Sequence, residues 1–123
     1  MGISAARSVS TPERSRAILG SYDPTRNVLT LVQFSQTSGV TDYVNSLRKI
    51  QDQPYGGDAG MSYNDGPASP DAKPLGLFYE LESSSSAAAL APGASLAHVH
   101  RTVHFIGPET ALDAIARARS RDR

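Results

Sequence analysis

The chain's three histidines, His98, His100 and His104, all fall at even positions of one run, Ala97 to Ile106 (AHVHRTVHFI). Alternate side chains of a strand point to opposite faces. His98, His100, Thr102, His104 and Ile106 therefore share one side, and Val99, Arg101, Val103 and Phe105 the other. An imidazole changes charge near neutrality and serves as a general acid or base. In Pro74 to Glu82 (PLGLFYELE) the same alternation groups Phe78, Glu80 and Glu82 against Leu75, Leu77, Tyr79 and Leu81. With both apolar rows turned to helices and the two strands adjacent, Glu80 or Glu82 would stand beside a histidine. The expected chemistry is a carboxylate–imidazole dyad, with His100 and Glu80 as the catalytic pair. His98, His104, Phe78 and Thr102 are the expected ligand contacts.

Metal chemistry meets a distance test. His98 and His100 stand about 6.6 Å apart along a strand, close enough for two imidazoles to share an ion. His104 lies about 13 Å beyond His100 and cannot readily complete that site. A third ligand would have to come from Glu80, Glu82 or the Asp58 to Asp65 loop, so no metal site and no cofactor is assigned. The loop run Asp58 to Gly66 (DAGMSYNDG) lacks the alternating carboxylates and closing Glu of a calcium loop. Arg117, Arg119, Arg121 and Arg123 spread around a helix, as a solvated basic end does. Gly-rich phosphate loops, nucleophile elbows and HExxH are absent from the sequence. The absence of cysteine excludes disulfides, thiolate metal sites and thiol catalysis.

The elements that must position these residues are legible as patterns. Residues 1–14 are polar and read as an arm, ordered only if something holds it. Residues 15–123 read as one α+β domain. Arg16 to Tyr22 and Asn27 to Ser35 are β-like runs flanking Asp23-Pro24-Thr25-Arg26, where proline at the second position suits a type I turn. In Val40 to Ile50, Val40, Tyr43, Val44, Leu47 and Ile50 recur at spacings of three and four, which predicts an amphipathic helix capped by Ser38. Gln53 to Lys73 is Gly- and Pro-rich and reads as a long loop, and Ser83 to Ser95 as a low-complexity link. Gly107-Pro108-Glu109-Thr110 opens a helix through Arg119, with Leu112, Ile115 and Ala116 or Arg119 inward. The order ββαββα predicts a mostly antiparallel four-stranded sheet with two helices packed on one face.

The residue counts set the size of that core. Leu, Ile, Val and Phe number 10, 5, 7 and 3 in 123 residues, beside 16 alanines, with 12 basic residues balancing 12 acidic ones. One thin core is the most the chain can build, and thin cores often gain buried area by self-association. Zero net charge supplies no field to recruit nucleic acid. Neither a signal-peptide core nor a run near the roughly 18 apolar residues of a membrane span is present, which predicts a cytoplasmic protein without a membrane partner.

NVLTLVQFS followed by a helix, then GLFYELE, then HVHRTVHFIGPETALDAIARA, resembles the ferredoxin-like dimeric α+β-barrel family of antibiotic-biosynthesis monooxygenases and stress-responsive barrel proteins. The resemblance spans Asn27 to Arg119 and is one of pattern, without a diagnostic motif. In that family two sheets pair face to face around a ligand cleft, which would place His98, His100, His104, Phe78 and Glu80 inside it. The sequence departs from it in lacking a strand after the last helix and in adding one at Arg16 to Tyr22. The resulting expectation is a homodimer binding a small organic ligand on a His/Glu face, with cofactor-independent chemistry using a histidine as base. The competing expectation is a virion coat protein, since single-stranded RNA phage coat proteins similarly combine a hairpin, an antiparallel sheet and a C-terminal helix. RNA is a partner only under that reading. A third expectation is an accessory subunit of a larger assembly.

Overall fold

The computed structural model describes residues 8–10, 16–46, 49–64, 66, 71, 73, 76 and 78–121. Their strands are β1 (Ser8–Ser10), β2 (Ile18–Asp23), β3 (Val28–Phe34), β4 (Gly60–Asn64), β5 (Tyr79–Ser83) and β6 (His100–Ile106), followed by helix α1 (Glu109–Arg121). Two antiparallel three-stranded sheets result, one ordered β2-β3-β6 and the other β1-β4-β5, in which the three-residue β1 borders the β4-β5 pair. This corrects the expected four-stranded sheet with two helices. The histidine strand pairs with β3, not with β5, and the described residues contain one helix.

The β2-β3 hairpin forms where its turn chemistry predicts. Asp23 Oδ1 accepts from the amides of Thr25 (2.8 Å) and Arg26 (3.2 Å), Pro24 presets the first turn angle, and Asn27 closes the loop at φ 52°. Asn tolerates that left-handed conformation better than most residues.

β3 is central in its sheet and buries both faces. Leu29 and Leu31 pack with Leu112 of α1, joined by Ile18, Phe105, Ile115 and Ala116. On the other face Val32 and Phe34 pack with Tyr43 and Ala59, joined by Ala17, Leu19 and Leu81. The second sheet thus lies against the face that α1 leaves open. A β-carbon on Gly60 would come 3.0 Å from the Phe34 ring, so the two sheets approach closely there.

The predicted helix at 40–50 does not form in the described part of that segment. Its apolar period is misleading: Tyr43 is buried, whereas Val44 and Ile50 are exposed. Tyr43 instead bridges Gly56 and Ser86 in extended form, its amide donating to Tyr55 O (3.0 Å) and its carbonyl accepting from Gly57 N–H (2.8 Å). A β-carbon on Gly57 would sit 2.2 Å from the Val44 carbonyl, so glycine is required for this approach. Leu47 and Arg48 lie outside the described residues.

One further expectation changes. The long loop 53–73 contains β4, and the polar arm contributes β1, held by β4 through Ser8–Ser62 and Ser10–Gly60 pairs. No helix among the described residues is long and apolar enough to cross a membrane.

Candidate functional site

β6 presents its odd residues Val103 and Phe105 toward α1, which turns His100, Thr102 and His104, with His98 just before the strand, toward the second sheet. β5 arrives opposite them in the reverse of its predicted orientation. Leu81 packs into the seam and Tyr79 and Ser83 share its side, so Glu80 and Glu82 occupy the outer face.

The side chains converge on hydroxyls. Ser83 Oγ lies 2.9 Å from His98 Nε2 and 2.8 Å from His100 Nδ1. His98 Nδ1 lies 3.3 Å from Ser35 Oγ, which itself accepts from the Val99 amide at 2.9 Å. His100 Nε2 lies 3.4 Å from Thr102 Oγ1. A chain therefore runs Ser35, His98, Ser83, His100, Thr102 along the shared edge of the sheets. Its inner imidazole is half-buried beside Phe34, with ring centroids 6.4 Å apart, and its outer imidazole is exposed.

A second, separate group lies further along β6. Thr30 Oγ1 is 2.9 Å from His104 Nδ1 and accepts from the Tyr79 hydroxyl at 3.4 Å. Thr30 is the buried polar residue of the core among the described residues, and these contacts satisfy it.

Each hydroxyl carries one proton and each neutral imidazole one donor and one acceptor nitrogen. Two complementary arrangements satisfy the first chain. In one, Ser35 donates to His98, His98 to Ser83, Ser83 to His100 and His100 outward. In the other every bond is reversed, and Thr102 donates to His100. The two states hold the same number of protons, so converting one into the other passes one proton out at one end of the chain and one in at the other, and the exposed imidazole is the end open to exchange.

The structure brings together His98, His100 and Thr102 of the expected site, adds His104 nearby, and sets Phe78 and Glu80 apart. Phe78 lies against Tyr63, ring centroids 6.0 Å apart, and Glu80 is registered opposite Tyr63 on the outer face. Glu80 borders a cleft of about 170 Å³ with Ser21, Ser62, Asn64 and Tyr79, not the imidazoles. Sequence reasoning missed Ser83, Ser35, Thr30 and Tyr79. Ser83 opens a four-serine run that reads as a linker, and nothing local marks it as a partner of two histidines. Among the described residues no group of three or more His, Asp or Glu side chains is placed to share a metal ion.

The fold and site define a small α+β protein of two stacked antiparallel sheets, one backed by a helix, with a serine–histidine chain at their common edge. The chain belongs to a family of unknown function, DUF6786, whose model matches residues 6–119. No curated protein and no solved structure matches it.

Proposed function

We propose that the protein binds a small polar organic molecule at the serine–histidine edge and that His100 exchanges a proton with it. The observation that supports this is the continuous chain from Ser35 to Thr102, which ends on an exposed imidazole. His100 Nδ1 is held by Ser83, so the ring is oriented and its Nε2 faces outward, where a ligand hydroxyl or carbonyl displaces the long contact to Thr102. His98 serves as a positioning residue: through Ser83 it fixes which His100 nitrogen carries the proton. Glu80 has no part in this step, since it lies on the far face of the second sheet.

The test is a nuclear magnetic resonance fragment screen using alcohols, amides and ketones, read on the imidazole nitrogens. Binders should perturb His98 and His100 together and lose at least about tenfold in affinity in His100→Ala, the effect of removing roughly one good hydrogen bond. Hits that persist in a folded triple variant, His98→Ala with His100→Ala and His104→Ala, sink the proposal.

A further inference from the structure

β6 ends the helix-backed sheet, and among the described residues its far side pairs with nothing. Its register with β3 identifies the backbone groups facing that edge. Ser35 N–H donates to the Val99 carbonyl (2.9 Å) and Gly107 N–H to the Asn27 carbonyl (3.3 Å). Odd-numbered residues of this strand therefore make the hydrogen-bonded pairs with β3. Antiparallel alternation turns the amides and carbonyls of His100, Thr102, His104 and Ile106 outward.

We propose that this edge is the seam of a homodimer, in which the β6 strand of a second copy adds antiparallel across a two-fold axis at Val103. An isologous seam requires a strand complementary to itself. About that axis His100 meets the partner's Ile106 and Thr102 meets the partner's His104. These are the residues whose backbone groups face outward, so every open amide and carbonyl of both strands finds a partner. Between them Arg101 lies opposite the partner's Phe105, and Val103 opposite the partner's Val103. The guanidinium meets an aromatic ring and no like charges oppose. Sliding the copies until Arg101 faces the partner's Arg101 would create that repulsion, and a one-residue slip would turn bonded groups toward filled positions.

Of the devices that keep strands apart the edge carries only the charge of Arg101. HRTVHFI contains no proline, glycine or lysine, runs for seven residues, follows the exposed Val99 (55%) and ends on the exposed Ile106 (80%). The result is one continuous six-stranded sheet with both α1 helices on the same side. The seam is argued from backbone register and does not rest on the ligand reading, although it runs past the side chains of His100 and Thr102; Ser35, His98 and Ser83 take no part in it.

Sedimentation equilibrium of the full chain at micromolar concentration should give twice the 13.0 kDa chain mass. Thr102→Pro removes an outward N–H that β3 does not use, a change edge strands tolerate, and should weaken dimerisation by about tenfold or more. Independently, Val103→Cys introduces a single thiol into a cysteine-free chain. At the two-fold axis its Cα would lie about 4.5 Å from its mate, within disulfide range, whereas two Arg101→Cys thiols would be roughly 13 Å apart along the strands. Oxidation should cross-link the first variant and spare the second. A monomer mass throughout the micromolar range, equal cross-linking of both variants, or a dimer indifferent to Thr102→Pro would overturn the proposal.

Discussion

Single side chains here act through short, specific hydrogen bonds, and Asp23 shows how one of them reports on pH. Partial desolvation pushes its carboxyl upward, but the amides of Arg26 and Thr25 and the Arg26 guanidinium at 3.3 Å outweigh it, holding the group below its ordinary value. A folded-state value below the unfolded one stabilises the fold above the unfolded pKa, here 3.8, and that contribution disappears as pH falls through the folded value. Asp23→Asn keeps an acceptor for the turn amides but loses the charge. Thermal unfolding should show the variant slightly less stable than wild type near neutrality, with the gap closing below about pH 4. A gap that persists in acid would mean the charge has no part in the turn. The turn itself was readable from Asp-Pro because its bonds span two or three residues. The Ser83 hub was not, because its partners stand 15 and 17 residues away and belong to another sheet.

The same distinction between local and distant causes separates the elements that could be read from those that could not. The β2-β3 hairpin, the histidine strand and α1 carry their own signals: a turn, a period of two, and a proline with an acidic first turn. β4 carries none, since GMSYN is short, sits among glycines, and becomes a strand by pairing with β1 and β5. The segment around Tyr43 is the converse case, a helical period overridden when Gly56 and Gly57 admit a neighbouring backbone. Which face of β5 points inward was also unreadable, because Leu81 and Glu80 are ordered only by what lies opposite. Helix α1 depends on few anchors, of which Leu112, buried against Leu29 and Leu31, is the deepest. Its Asp113–Arg117 pair is exposed and contributes little. Leu112→Ala should therefore cost about 2–5 kcal/mol in denaturant unfolding. Hydrogen exchange of α1 amides should rise more than that of β4 and β5. Equal loss in both regions would show that helix and second sheet unfold as one unit.

Across the molecule, β3 serves two thin cores at once, one against α1 and one against the second sheet. A domain of this size has a net stability on the order of 5–15 kcal/mol, so neither core is redundant. Phe34 is the large β3 side chain in the inter-sheet core, touching the position Gly60 keeps small and flanking His98. Phe34→Ala should cost about 3–5 kcal/mol, comparable to Leu112→Ala, but the two changes should differ in what they do to the site. The serine–histidine chain exists only because β5 is held over β6, bringing Ser83 to two imidazoles. Loosening that inter-sheet core should separate Ser83 from His98 and His100 and shift both sets of imidazole nitrogen resonances in protein that remains folded. Removing Leu112 leaves the inter-sheet contacts intact and should leave those resonances in place. If the helix variant disturbed the imidazoles as strongly as the Phe34 variant, the chain would depend on the whole fold, and the second sheet would lose its assigned part in orienting His100.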